Sequence, residues 1–278
     1  EMEKFWRSLI EYAELNGETW TGPELVDRNK LPGAKWFPEA RFNYAENILK
    51  RRDDADAFVF WGENKVKRRM SFKTLYDQVS SISQALKGMG VGPGDKVAGY
   101  LPNLPETIIA TLAAASLGAA WSSCSPDFGA QGVLDRFSQI KPKVVFCANG
   151  YHYNGKTHDS LEKVEEIVIQ LPSVEHVVVI EYLDGAPDFS GLKNAQHWGD
   201  VIANHPPNEI EFAQLPFDQP LYIMFSSGTT GAPKCIIHSA GGSLLKHASE
   251  HLLHCNMKRD DRIFFFSTCG WMMWNWLV

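Results

Sequence analysis

The sequence has few of the features that would place it in a secreted, membrane-bound or nucleic-acid-binding class. Its five cysteines are odd in number and form no C-x-x-C pair, which favours free thiols in a reducing compartment. No stretch approaches the roughly eighteen consecutive apolar residues of a membrane-spanning helix, and the first residues lack the apolar core of a signal peptide. A net charge of −6 offers no attraction for nucleic acid or an anionic membrane. We therefore expect a cytosolic (cytoplasmic) protein that binds neither nucleic acid nor membrane.

The rest of the composition is ordinary for a globular protein, with 44% hydrophobic and 22% charged residues. Short apolar runs alternate with amphipathic stretches of helical period. Repeated strand–helix–strand units of this length predict an α/β fold in which mostly parallel sheets are flanked by helices. The predicted strands cover 96–101, 120–124, 144–148, 174–180, 221–225 and 235–238, with a buried Ile-Phe-Phe-Phe strand over 261–268. The predicted helices lie near 71–88, 105–118, 130–140, 159–171 and 239–255.

Aromatic residues are concentrated at the start of the chain. They show no sustained period, so they predict an N-terminal cap over residues 1–50 that packs onto a larger body over 51–278. Residues 181–219 are rich in Gly, Pro, Asn and Asp and predict a surface excursion. The aromatic residues of the cap are Trp6, Trp20, Trp36, Phe37, Phe42 and Tyr44.

The clearest functional signal is a glycine-rich loop that follows an apolar strand, in the stretch 221–234. Its glycines let successive backbone amides point into one concavity, its hydroxyls add uncharged donors, and its lysine adds a cation. These groups indicate a holder for a polyanion such as a nucleotide triphosphate. It is not a Walker loop, because Ala232 and Pro233 separate the second glycine from the lysine. A flexible surface loop is the alternative. The candidate ligands are Ser226, Ser227, Gly228, Thr229, Thr230, Gly231 and Lys234.

The stretch Phe-Ser-Ser-Gly-Thr-Thr-Gly-Ala-Pro-Lys resembles the signature loop of the adenylate-forming superfamily, which comprises acyl-CoA synthetases, luciferases and the adenylation domains of peptide synthetases. Cys235 departs from it, since many members carry glycine there. The resemblance implies that the loop wraps the β- and γ-phosphates of ATP, with Thr229, Thr230 and Lys234 acting in catalysis. It also implies Mg²⁺ and coenzyme A. With the stretch Ser-Thr-Cys-Gly-Trp-Met-Met-Trp-Asn-Trp, the sequence is most similar to members that activate acetoacetate.

The resemblance extends to two further sites. It implies that Trp271, Met272 and Met273 border the carboxylate substrate, whereas core packing is the alternative for such residues. It also implies that a polar loop over 149–156 contacts the nucleotide of coenzyme A. The candidates there are Tyr153, Asn154 and Lys156, and an exposed loop without a ligand is the alternative.

A second pattern, H-x-x-E-H over residues 247–251, is that of an inverted zincin motif. His247, His251 and His254 would share one face of a helix, and Cys255 is adjacent. No further ligand is evident and the helix directly follows the glycine-rich loop, so we expect a solvated or partly packed histidine face and no metal site; zinc binding is the alternative.

Three interpretations of function follow. The resemblance implies an AMP-forming ligase for acetoacetate, or for another short-chain carboxylic acid. A non-catalytic nucleotide-binding or interaction module is the second interpretation, and a zinc hydrolase is the third. The superfamily's later elements are a Gly-Thr-Glu stretch, a ribose-binding Asp and a small C-terminal domain with the adenylation lysine. None of these occurs before Val278, so we expect residues 51–278 to be an incomplete AMP-binding domain that is inactive alone.

Overall fold

The computed structural model describes residues 1–185, 187–226 and 231–278. Its helices are α1 (Met2–Tyr12), α2 (Tyr44–Ile48), α3 (Phe72–Gly88), α4 (Pro105–Ser116), α5 (Ala130–Ile140), α6 (Leu161–Ile169), α7 (Trp198–Asn204), α8 (Ala240–Ala248), which continues as a π-helical turn over Ser249–His254, and α9 (Met272–Leu277). Its strands are β1 (Leu25–Val26), β2 (Lys35–Trp36), β3 (Arg41–Phe42), β4 (Asp56–Trp61), β5 (Lys67–Ser71), β6 (Lys96–Tyr100), β7 (Ala120–Cys124), β8 (Val144–Ala148), β9 (Gly150–Tyr153), β10 (Lys156–Asp159), β11 (His176–Ile180), β12 (Ala195–His197), β13 (Leu215–Pro216), β14 (Pro220–Ser226) and β15 (Lys234–Ser239).

A seven-stranded sheet in the order β12-β11-β8-β6-β7-β14-β15 forms the centre of the molecule. Its neighbours pair in parallel except for β15, which returns antiparallel to β14. One apolar cluster lies on each face of the sheet, and helices cover both clusters. The α/β fold predicted from the sequence is confirmed.

Local sequence signals account for several helix ends. The Ser71 hydroxyl accepts the amide of Thr74 at 3.1 Å and caps α3. Buried Asn43 serves two helices, because its side-chain oxygen caps α2 while its amide donates to the carbonyls of Ala115 and Ser116 at the end of α4. A buried helix end needs such partners for its free carbonyls.

The aromatic N-terminal residues pack against the body of the protein. Phe37 and Phe42 are buried, and their rings lie 5.2 and 6.2 Å from that of Phe217. These contacts join residues on either side of position 50 into one apolar cluster. The division at residue 50 stays a prediction.

The prediction of a buried strand over Asp261–Thr268 is wrong. The segment forms neither helix nor strand, and Phe264 and Phe266 are 86% and 80% exposed. An apolar run becomes a buried strand only where a neighbour supplies hydrogen-bond partners and a face to cover it. Within the described ranges, no strand pairs with this segment.

Two other stretches are more ordered than predicted. The surface excursion over 181–219 contains the edge strand β12 and helix α7, whose Trp198 and Val201 are buried. The polar loop over 149–156 is an antiparallel hairpin of β9 and β10. No helix in the described part of the chain is long and apolar enough to cross a membrane.

Candidate active site

The glycine-rich loop is held at its base by two strands. Ser226 ends β14 and lies opposite Lys234, which begins the antiparallel β15, so residues 227–233 connect the two strands. Gly231 has φ +138°, a conformation that side chains disfavour, and the Lys234 side chain is exposed. The predicted ligands Ser227, Gly228, Thr229 and Thr230 lie outside the described residues. The base of the loop thus carries one partly buried serine and one exposed lysine.

Helix α5 flanks the end of this loop. The side-chain amide of Gln139 donates to the carbonyl of Pro233 at 2.9 Å, and the thiol of Cys235 donates to the Gln139 side-chain oxygen at 3.5 Å. The Arg136 guanidinium lies 4.5 Å from the ring centre of Phe128 and 5.9 Å from that of Phe225. Arg136 therefore places a second cation beside the strand that enters the loop.

Sequence reasoning missed both Arg136 and Gln139. The only signal for them was their three-residue spacing on a correctly predicted amphipathic helix. That spacing puts the two side chains on one face of α5, and it does not say what the face contacts.

The Gly270–Trp271 segment is anchored to the carboxyl edge of the sheet. The Ser123 hydroxyl donates to the carbonyl of Cys269 at 2.6 Å, and the Cys269 thiol donates to the carbonyl of Leu101 at 2.9 Å. The indole of Trp274 donates to the side-chain oxygen of Asn103 at 2.9 Å. The segment therefore lies at the edge where parallel sheets generally bind their ligands.

A cavity of about 370 Å³ opens between β14, α8 and α9. Of the three residues predicted to border the substrate, Met272 lines this cavity. Trp271 and Met273 are not among its lining residues; Trp271 is 56% exposed, and Met273 is partly buried. The structure therefore brings one of the three predicted wall residues to the cavity.

Three uncharged polar rings adjoin the cavity. The hydroxyl of Tyr44 lies 3.3 Å from Nδ1 of His247, and the ring of Tyr222 packs edge-on against that of Tyr44. Burial raises the pKa of Tyr44 to about 12 and that of Tyr222 well above its usual value. Burial also lowers the pKa of His247 to about 4, so its ring is neutral at pH 7.

The three residues predicted to contact coenzyme A lie together at the turn of the β9–β10 hairpin. Tyr153, Asn154 and Lys156 are all exposed, and Asn154 adopts φ +51° in the turn. The amide of Gly155 donates to the Glu63 carboxylate at 3.1 Å, which fixes the turn against the neighbouring hairpin. The β9–β10 hairpin begins two residues after β8, at the same carboxyl edge of the sheet.

The zinc interpretation finds no support in the histidine face. The rings of His247 and His251 stack with their centres 6.0 Å apart. His254 at the end of the π-helical turn and Cys255 just after it are both exposed. In the residues that the structure describes, no group of three or more His, Cys, Asp or Glu side chains is arranged to hold a metal ion.

A mostly parallel sheet whose carboxyl edge carries this loop is the architecture of enzymes that bind AMP, and the chain belongs to that family. The family model described as "AMP-binding enzyme" matches residues 45–277. The resemblance to adenylate-forming enzymes is thereby confirmed.

Comparison with individual proteins shows which members of the family the chain resembles. The chain is 48% identical over 275 residues to the acetoacetyl-coenzyme A synthetase of Rhizobium meliloti, covering 99% of the chain and 42% of that protein. It is 48% identical over 284 residues to the acetoacetyl-CoA synthetase of Gallus gallus, with the same shares covered. A solved structure of the acetoacetyl-CoA synthetase from Streptomyces lividans superposes with a TM-score of 0.93 at 41% identity, over 99% of this chain and 42% of that one. The chain therefore spans about two fifths of the length of these relatives.

Proposed function

We propose that this chain provides the phosphate-binding part of a ligase that activates acetoacetate. In the proposed reaction, the acetoacetate carboxylate attacks the α-phosphate of ATP to give acetoacetyl-AMP and pyrophosphate. The thiol of coenzyme A then attacks the acyl carbon and displaces AMP. The observation that carries this proposal is the loop held by Ser226 and Lys234 at the carboxyl edge of the sheet, in a chain similar to three acetoacetyl-CoA synthetases.

The chemistry requires neutralisation of charge, because a carboxylate and a triphosphate repel each other. The exposed ammonium of Lys234, the loop amides and the hydroxyls of Thr229 and Thr230 would hold the departing pyrophosphate. Bound with the nucleotide, Mg²⁺ would neutralise phosphate charge.

The other two predicted sites complete the proposal. The turn of the β9–β10 hairpin, with Tyr153, Asn154 and Lys156, would contact the nucleotide of coenzyme A; its exposure and its position after β8 support this role. The segment Trp271–Met273 would border the acyl group, and the position of Met272 in the cavity supports that role. We also propose that residues 1–50 form a cap and that 51–278 form part of an AMP-binding domain.

A substrate panel tests the proposed reaction. Full-length protein is incubated with ATP, Mg²⁺, coenzyme A and either acetoacetate, butyrate, acetate or propionate, and acyl-CoA and AMP are quantified by chromatography. The proposal predicts acetoacetyl-CoA and AMP in equal amounts, with acetoacetate preferred. Preference for another acid would reassign the substrate. Binding of ATP without turnover of any acid would favour the non-catalytic nucleotide-binding module.

A further inference from the structure

The cavity between β14, α8 and α9 is lined in part by His247, a polar residue without a role in the proposed reaction. Its floor is formed by Tyr222 and Met224, and its walls include Ser243, His247, Met272 and Asn275. Most of this surface is apolar or uncharged. The charged pair at its rim, Lys246 and Glu250, is joined by a 2.8 Å ion pair.

A hydrogen bond with Tyr44 sets the proton position on His247. A phenol O–H is more acidic than a neutral imidazole N–H, so between Tyr44 and His247 the phenol is the donor. The Tyr44 proton is therefore directed to Nδ1 of His247, 3.3 Å away. A neutral imidazole that accepts at Nδ1 carries its proton on Nε2.

In the pair formed by Tyr44 and His247, the Nε2–H of His247 is the remaining hydrogen-bond donor. Within the described residues it has no hydrogen-bond partner, and the ring lines the cavity. Because burial keeps the ring neutral, it offers a donor without a charge. A neutral donor among methionines suits a ketone oxygen, whereas a carboxylate placed there would lose its solvation without gaining a cation.

The strand that forms the floor leads to the phosphate loop. Tyr222, Met224 and Ser226 alternate with the residues between them, so all three side chains lie on the same face of β14. Met224 and Ser226 are about 7 Å apart along the strand, at roughly 3.3 Å per residue. A short acid could therefore place its chain over Met224 and its carboxylate toward Ser226.

We propose that this cavity holds the acyl chain of the substrate and that His247 donates a hydrogen bond from Nε2 to the 3-keto oxygen of acetoacetate. His247 would then distinguish a 3-keto acid from butyrate, which has the same carbon skeleton but no ketone. Tyr44 is a positioning residue, since it fixes the tautomer of His247. This inference rests on the proposed activation of acetoacetate.

The test compares acetoacetate with butyrate in the full-length protein, by kcat/KM for AMP formation in the presence of coenzyme A. His247→Phe keeps an aromatic ring and removes the donor. We expect it to lower kcat/KM for acetoacetate about tenfold or more while leaving butyrate turnover within about twofold, because a site built around a hydrogen bond discriminates strongly against a ligand that lacks it. His247→Asn, which retains an N–H donor, should recover part of the preference. His254→Phe, at an exposed position about two turns further along the helix, should match the wild type.

Two further readouts keep the test decisive. Tyr44→Phe removes the hydroxyl that directs the tautomer and preserves the volume, so it should also reduce the preference for acetoacetate; it decides the matter if His247→Phe fails to fold. An unchanged ratio of the two kcat/KM values in a folded His247→Phe or Tyr44→Phe variant would overturn the inference. If the wild type activates neither acid, the proposed function itself fails. If the wild type activates acetoacetate and these variants keep its selectivity, only the role of His247 is refuted.

Discussion

Gln139 and Pro233 are 94 residues apart in the chain, yet the side-chain amide of Gln139 donates a 2.9 Å hydrogen bond to the carbonyl of Pro233. This contact ties helix α5 to the end of the glycine-rich loop, immediately before Lys234. It supplies an anchor for this segment in addition to the pairing of β14 with β15.

Removing this hydrogen bond should weaken the binding of ATP more than it destabilises the fold. A single hydrogen bond at an exposed site contributes about 0.5–1.5 kcal/mol, so Gln139→Ala should raise KM for ATP about two- to tenfold. Gln131→Ala is the matched control, since Gln131 is exposed on the same helix and bonds only to Asp135 among the described residues. Equal KM values for the two variants would contradict a role for Gln139 in holding the loop.

The partly buried His247 should make stability depend on pH. Burial lowers the pKa of His247 from 6.5 to about 4 in the folded protein, so between these values the unfolded chain binds a proton that the native state does not. Stability should therefore fall as pH decreases through this window. At pH 5 the loss should be about 1–2 kcal/mol relative to pH 7. Urea denaturation at both pH values should show a smaller loss for His247→Gln, whereas His254→Gln should follow the wild type.

The pair Arg68–Glu106 should contribute more to stability than surface pairs do. Two parallel hydrogen bonds of 2.6 and 2.9 Å join the groups, and Glu106 is only 7% exposed. Arg68→Met would leave this carboxylate without its cation. Since the Arg68 side chain is itself 41% exposed, we expect a cost of about 1–2 kcal/mol in urea denaturation, below that of a fully buried pair.

The surface pair Lys87–Glu211, removed in Lys87→Met, is the control for the Arg68–Glu106 pair. Lys87 and Glu211 are joined at 2.9 Å on the surface, with both side chains mostly exposed. Losing this pair should change the free energy of unfolding by less than about 0.5 kcal/mol. Equal costs for Arg68→Met and Lys87→Met would show that the burial of Glu106 has no energetic consequence.

The exposed phenylalanines should tolerate charge in the 278-residue chain. Phe264→Asp should alter the free energy of unfolding by less than about 0.5 kcal/mol, because the ring contributes little to the core. Trp274→Ala, at a residue only 1% exposed, should cost about 3–5 kcal/mol. A large loss of stability in Phe264→Asp would instead support the buried strand that the sequence pattern predicted.

The elements that could be predicted from sequence are those defined by local pattern. The bounds of β7, α5 and β8 match the prediction to the residue, because apolar periodicity and punctuating Gly and Pro residues are properties of neighbouring positions. The glycine-rich loop is visible in the sequence for the same reason; its role in binding phosphate stays a prediction, and four of its predicted ligands lie outside the described residues.

Features that depend on distant partners could not be predicted. Strand β12 is three residues long, and only its pairing with β11 makes it a strand. The apolarity of residues 263–266 does not reveal whether another segment covers them. His247 contacts Tyr44 across 203 residues of sequence, so neither its neutrality nor its tautomer is visible in the H-x-x-E-H pattern. That pattern suggested zinc, whereas the fold places His247 beside a phenol and a cavity.

Acetoacetate-dependent exchange of labelled pyrophosphate into ATP tests the central claim most directly, because it reports the adenylation step without coenzyme A. With full-length protein, ATP and Mg²⁺, the account predicts exchange that requires acetoacetate. It also predicts at least about a tenfold loss in Lys234→Met, since one charge-assisted contact to phosphate contributes about 1.5–3 kcal/mol. Exchange no greater than in the absence of acid, or an undiminished rate in Lys234→Met, would contradict the account.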